Sequence, residues 1–339
     1  MANDLYPLFT ILLAIRLSSF TIRYSSTMSA QSPSTPVIRL DPTAFINERR
    51  VSERGGVREF FTRLVRTRLA GVGLFIVSMF VVAAIFASRI APHSPTKQTV
   101  TKALRPPSAE YWLGTDELGR DIFSRVLYGA QVSLIVGFSS IAIALCVGVL
   151  LGLAAGYRSN SWLDQVIMRM MDALLSFPQL VLAIALVAAF GVDKEGTLFP
   201  KAIYAIAIVG IPAYARLTRG QVLTIREREF VLAARTVGAQ DRRIIWQHIF
   251  PNITAPLIVQ SSLGIAGAML AEAGLSFLGL GVQPPTPSWG GMLSAGRGYL
   301  EIDPWLLIGP GGAVFLAVLG FNFLGDGIRD VLDPRLRNS

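Results

Sequence analysis

Residues 130–156 read AQVSLIVGFSSIAIALCVGVLLGLAAG, a run with no charged side chain. About 18 apolar residues in a row, each rising ~1.5 Å, are enough to carry a helix across a hydrocarbon core of ~30 Å. Polarity does not alternate along the run, so it does not fit a membrane β-strand, whose lipid-facing and lumen-facing residues take turns. Further apolar stretches lie outward on both sides, at residues 69–90, 173–191, 201–217, 253–275 and 304–324. An all-α membrane protein with about six transmembrane helices is therefore expected. Composition agrees, with 52% hydrophobic and 16% charged residues in 339, whereas a soluble domain needs roughly 25% charged residues to solvate its surface. A soluble enzyme is excluded.

The net charge of +9 does not point to nucleic acid, because the basic residues flank apolar runs as topology signals do. With the amino terminus inside, the inner segments 48–68, 157–171, 216–252 and the tail after 326 hold 19 Lys and Arg, against 7 in the outer loops. Both termini are expected in the cytoplasm. The one cysteine, Cys146, lies within the quoted run, and His93 and His248 are far apart. No intramolecular disulfide, metal site or cofactor is expected. Residues 1–56 read as a flexible tail whose translation is expected to begin at Met28; residues 57–128 hold the first span and a long outer loop. Residues 129–326 are expected to hold the remaining spans as one domain, and 327–339 a cytoplasmic tail. A second outer loop, 276–303, is rich in Gly and Pro and is expected to fold back over the outer mouth, since lipid does not tolerate irregular backbone.

The inner segment 227–252 reads EREFVLAARTVGAQDRRIIWQHIFPN. It is expected to form a helix, a break at Gly238, and a second amphipathic helix from about Gln240 to Phe250, since Gly ends helices in the left-handed conformation without steric cost. Ala233 and Ala234 offer a surface that a partner could approach closely. Ile244, Ile245, Trp246, Ile249 and Phe250 supply an apolar face, and Pro256 is expected in the first turn of the next span. On pattern alone, a connector lying on lipid reads equally well.

This segment resembles the "EAA" loop of ABC-importer permeases, through Ala233, Ala234, Gly238 and His248-Ile249-Phe250-Pro251-Asn252. The motif's Glu is replaced by Leu232, with Glu229 three residues earlier, which puts a salt bridge from position 232 in doubt. WLGTDELGRDIFSR at 112–125, LSFLGLG at 275–281 with PSWG at 287–290, and NFLGDGIRD at 322–330 with LDPR at 332–335 resemble C-type permeases of the dipeptide/oligopeptide/nickel group. The resemblance implies the type I ABC-importer permease fold in the inner membrane and a subunit that does not itself hydrolyse ATP. Its implied partners are a second homologous permease, two cytoplasmic ABC ATPases and an extracytoplasmic substrate-binding protein. It also implies an ATPase-coupling loop carrying Glu229, Ala233, Ala234, Arg235, Gly238, His248 and Pro251. Asp116, Glu117, Arg120 and Asp121 are either a solvated loop cluster or contacts for the binding protein. Peptides are the implied cargo, with nickel or another small solute as the alternative; no substrate-binding residue is assigned.

Other signals carry less. Gly191–Thr197 lacks the Gly-Lys-Ser/Thr ending of a phosphate loop, and Gly279-Leu280-Gly281 lacks the third glycine of a dinucleotide site. Glu272 counts to the outer end of its span, where reaching water competes with a functional role. Asp172 reads as a helix-start residue favoured by the dipole, and Met168, Met170 and Met171 as adaptable packing. A stand-alone secondary transporter would need charged groups or paired broken helices at the bilayer midplane, and the spans offer almost none.

Overall fold

Without water, a spanning segment must satisfy its own backbone, so apolar runs become helices. The computed structural model describes residues 62, 64–65, 67–191 and 201–332. The described residues fold as α1 (Arg68–Ile85), α2 (Ala87–Ile90), α3 (Ile122–Tyr157), α4 (Trp162–Leu175) and α5 (Gln179–Phe190), then α6 (Ala202–Arg226) and α7 (Glu229–Thr236). They continue with α8 (Asp241–Phe277), α9 (Trp289–Gly296) and α10 (Trp305–Leu332). The expectations for the tail before residue 57, for the turn 192–197 and for Asp333-Pro334-Arg335 lie outside the described residues.

Three helices, α3, α8 and α10, are long and apolar enough to cross a membrane unbroken, and the α4–α5 pair makes a fourth candidate if counted as one span. Helix α1 is apolar but shorter, and α6 carries Arg216, Arg219 and Arg226 in its second half. Their outward faces leave large apolar side chains in the open, among them Phe75, Phe138, Leu150, Ile258, Leu270 and Phe315. A soluble monomer does not expose so extended an apolar surface.

The structure corrects four local expectations. The run 173–191 is not one helix. Pro178 precedes α5 with ψ 129°, and α4 meets α5 at 96°, because proline lacks the N–H and drives the residue before it out of the helical region. Asp172 is therefore in the last turn of α4, where its carbonyl accepts the Ser176 N–H at 3.0 Å, rather than at a helix start. The expected amphipathic helix 240–250 is not separate from the following span. Asp241–Phe277 is continuous, with a π-helical turn at Ile244–Ile249, so Pro256 lies inside the helix. Finally, Glu272 does not reach water. It is fully buried, with Ser133 Oγ donating to Oε2 at 3.2 Å and Ser276 Oγ to Oε1 at 2.7 Å.

Packing centres on α3 and α6. Gly148, Gly152 and Gly156 repeat every fourth residue along one stripe of α3, and small residues there let two backbones approach. A Cβ on Gly152 would lie 2.5 Å from Ala215 O, and one on Gly156 would lie 2.8 Å from Val222 Cβ. At the Ile122 end of α3, the Trp289 indole is buried and donates from Nε1 to Val126 O at 2.9 Å. Its ring fills the space beside Gly129 and meets Phe80 edge-on at 5.5 Å. Segment 276–303 thus folds back into the bundle through α9.

Candidate functional site

The segment joining α6 to α8 begins where α6 gives way to an extended Arg228 (ψ 146°). Glu229 opens α7, where a carboxylate suits the positive end of the helix dipole. The helix closes two turns later. Gly238 N–H donates to Arg235 O at 2.9 Å, and Ala239 N–H donates to Ala234 O at 3.0 Å. These paired bonds form a Schellman motif, which requires the residue after the cap to be left-handed. Gly238 has φ +81°, and a Cβ placed there would meet nothing within 4 Å. The demand on position 238 is thus purely one of backbone conformation. Ala234 supplies the carbonyl that Ala239 closes on, which explains the four-residue step from Ala234 to Gly238.

Three side chains anchor the segment to the bundle. Val231, Ile244 and Ile249 are fully buried and share a core with Val222 and Leu153. The opposite surface is open: Val237 is 84% exposed, and Ala233, Arg235 and Gly238 are exposed beside it. Leu232, in place of the motif's Glu, is also exposed and, lacking charge, forms no salt bridge. His248 is half-buried, its ring 6.4 Å from Phe230. Pro251 has no N–H to give the helix ladder. Beside it Phe250 N–H reaches back to Ile245 O in the π-turn, and Asn252 Nδ2 donates to His248 O at 2.6 Å. The HisXXProAsn stretch is thus a helix turn rearranged around a proline.

Residues outside the segment hold it. Tyr157, the last residue of α3, donates its hydroxyl to Asp241 Oδ1 at 2.5 Å, and the Arg235 guanidinium lies 5.6 Å above the Tyr157 ring. Arg226 donates to Gly156 O at 3.3 Å and also bonds Ser159 Oγ. Nearby, Arg219 grips Asp164 through two bonds of 2.6 and 2.8 Å, and Arg216 pairs with Asp172. These pairs bind the amphipathic α4 to α6.

At the other end of α3, the acidic and basic cluster folds its own loop. Asp116 accepts from Arg120 Nε at 2.6 Å and from the N–H groups of Leu118 and Arg120. Arg120 Nη2 also reaches Glu117 at 2.9 Å. Asp121 caps α3 through Ser124 N–H at 3.0 Å, and Arg125 donates to Pro95 O at 3.1 Å. Asp116, Arg120, Asp121 and Arg125 are all buried, so the cluster is a folded network and not a solvated patch.

Residues 148–338 match the family model of the binding-protein-dependent transport system inner membrane component, and residues 57–107 match the N-terminal TM domain of oligopeptide transport permease C. The chain belongs to this family of inner-membrane permeases. Among its relatives, the dipeptide transport system permease protein DppC of Alkalihalophilus pseudofirmus is 47% identical, over 83% of this chain and 90% of that protein. The di/tripeptide transport system permease protein DppC of Pseudomonas aeruginosa is 45% identical, over 84% and 93%. The glutathione transport system permease protein GsiD of Pectobacterium atrosepticum is 42% identical, over 83% and 92%.

In this permease the loop residues Glu229, Ala233, Ala234, Arg235, Gly238, His248 and Pro251 fall within one continuous helix–turn–helix. Asp116, Glu117, Arg120 and Asp121 meet in a second cluster at the opposite end of α3. Sequence reading missed Tyr157, Asp241 and Arg226 as members of the loop's surroundings, and the Asp164–Arg219 pair. Nothing local marks these residues, which are 55 to 84 positions from their partners across Asp164–Arg219, Arg226–Ser159 and Tyr157–Asp241. The glycine stripe of α3 was readable, since Gly148, Gly152 and Gly156 stand four apart in the sequence.

Proposed function

We propose that this permease is a subunit of an ATP-driven peptide importer of the inner membrane. It pairs with a second homologous permease, each forming half of the pathway. Two cytoplasmic ABC ATPases drive the pair, and an extracytoplasmic binding protein delivers peptide. The peptide cargo rests on the di-, tri- and D,D-dipeptide permeases among its relatives. In this reading α1, α3, the bent α4–α5 pair, α6, α8 and α10 each cross the membrane once, with both termini and the 227–252 loop inside. The excess of Lys and Arg in those inner segments supports that orientation. Residues 129–326 act as the transport domain, with 57–128 preceding them and 327–339 as the inner tail.

The observation that carries the reading is the exposed end of α7. It offers Ala233, Val237 and a left-handed Gly238 outward, while Val231, Ile244 and Ile249 root the same segment in the core. A surface both open to a partner and rigidly seated on spanning helices suits the transmission of force. Each ATPase seats one such loop. Closure of the ATPases on ATP displaces the loop and biases the spans between inward-open and outward-open states, which is alternating access as a population shift. The permease contributes no hydrolytic chemistry. The network of buried Asp116, Arg120 and Asp121, with the half-buried Glu117 at its edge, shapes the outer loop that meets the binding protein.

Two measurements test this. A Val237→Cys variant should crosslink to an ATPase subunit in membranes, and failure of every crosslinker length there would remove the docking assignment. ATP hydrolysis by the purified complex should rise when peptide-loaded binding protein is added; a rate indifferent to it would overturn the importer reading.

A further inference from the structure

The loop is joined covalently to only two helices, α6 through Arg226 and Glu227, and α8 through Asp241. Helix α3 is 84 residues away in sequence at the point of contact, yet its last residue sits inside the loop's fold. The Tyr157 hydroxyl bonds the first residue of α8, and its ring lies beneath the Arg235 guanidinium of α7. The Tyr157 hydroxyl donates to Asp241 Oδ1 at 2.5 Å, a short, direct bond between the two helices. The phenol is half-buried, while Arg235 and Asp241 are exposed. The Tyr157 ring packs against the core beneath the loop, while its hydroxyl meets Asp241 and its ring meets Arg235 on the solvent side.

We propose that Tyr157, Arg235 and Asp241 form a clamp that makes α3 a third arm of the coupling loop, with Tyr157 as its positioning residue. This rests on the coupling-loop reading given above and adds a route to it. Helix α3 spans 36 residues, roughly 54 Å at ~1.5 Å each, and is stiff along its length. Its far end is capped by Asp121 within the buried outer network, receives the Trp289 indole on Val126 O, and faces Glu272 through Ser133. A displacement of α7 gripped at Tyr157 thus reaches the folded-back α9 and the outer loop through one rigid element. Without the clamp, α3 meets the loop only through the buried core that Leu153 shares with Val231, Ile244 and Ile249, with no polar tie from α3 to Asp241.

The test uses the assembled complex in proteoliposomes with its binding protein, and reads uptake of radiolabelled alanyl-alanine per ATP hydrolysed. Tyr157→Phe deletes the hydroxyl and keeps the ring; Asp241→Ala deletes the acceptor. Each is expected to lower the ratio by about threefold or more, the scale of one solvent-accessible hydrogen bond. Because both variants break the same bond, the double variant should lose little beyond either single one. A ratio at the wild-type value in both single variants, or losses that simply multiply in the double variant, would overturn the clamp. Should Asp241→Ala fail to reach the membrane, Asp241→Asn, which retains an acceptor, should restore assembly and part of the ratio; a ratio equal to wild type there, with Tyr157→Phe also at wild type, again overturns it. Gly238→Val separates the two readings. If that variant transports normally the coupling loop itself is wrong, whereas loss in Gly238→Val with normal Tyr157→Phe removes the clamp only.

Discussion

Replacing Gly238 by valine changes one backbone torsion preference and little else, which makes its consequence calculable. The residue holds φ +81° with no atom within 4 Å of the position a Cβ would take, so the added side chain meets no steric obstacle. What it meets is the left-handed region itself, which costs a non-glycine residue roughly 1–2 kcal/mol and a β-branched one the upper part of that range. At ~1.4 kcal/mol per tenfold, ~2 kcal/mol cuts the population of the native turn by about thirtyfold. The cost falls on α7, only eight residues long, whose last carbonyls are closed by that turn. The buried anchors Val231, Ile244 and Ile249 are untouched, so the chain should still reach the membrane. Uptake of a dipeptide by cells relying on this permease should collapse in Gly238→Val. Gly238→Ala, at ~1 kcal/mol by the same argument, should retain an intermediate rate. Gly238→Asn should stay near wild type, because asparagine visits this conformation readily. Normal uptake with valine would refute the coupling role. Asparagine as damaging as valine would refute the conformational reasoning and point instead to side-chain bulk at the docking surface.

Other outcomes follow from contacts further from the loop. Gly152→Val places a branched side chain against Ala215 O and Thr218, and should lower stability by about 1–3 kcal/mol as overpacked cores do; an unchanged thermal midpoint in detergent would contradict the close α3–α6 seam. Arg219→Ala strands the buried Asp164 carboxylate, which is held at 2.6 and 2.8 Å. A loss of about 2 kcal/mol is expected, below the ~3–5 kcal/mol of a fully buried pair because Arg219 is partly exposed, and Arg219→Ala with Asp164→Asn should recover part of it in the same melt. Burial pushes the Asp303 carboxyl above its ordinary range. A raised folded-state pKa favours the fold below the unfolded value near ~3.9, and that contribution is lost as pH rises through the folded pKa. The wild-type thermal midpoint should therefore fall between pH 4 and pH 7 relative to that of Asp303→Asn, and parallel curves would count against it.

Much of this permease was legible in its sequence because the properties involved are local. An uncharged run such as 130–156 must become a helix in lipid, since no water is there to satisfy an open backbone. Gly238 announced a helix end because only glycine enters the left-handed region freely. Both inferences depend on neighbours a few residues away, so sequence order contains all they need.

What the tertiary structure decided depends on which distant surfaces meet. Sequence counting put Glu272 at a watery interface, but its environment is set by Ser133 of α3, 139 residues away. From order alone Asp172 reads as a helix start, because the break at Pro178 is not distinguishable there from one continuous span; in the fold its partner is Arg216 of α6. The acidic and basic residues at 116–125 could equally have been solvated until the fold buried them against one another. Tyr157 carried no signal at all. The sequence determined which segments are helices and where the loop must turn, because torsion and solvation act within a turn or two. Only the packing of those helices could bring the end of α3 to the loop, because that contact is made through space.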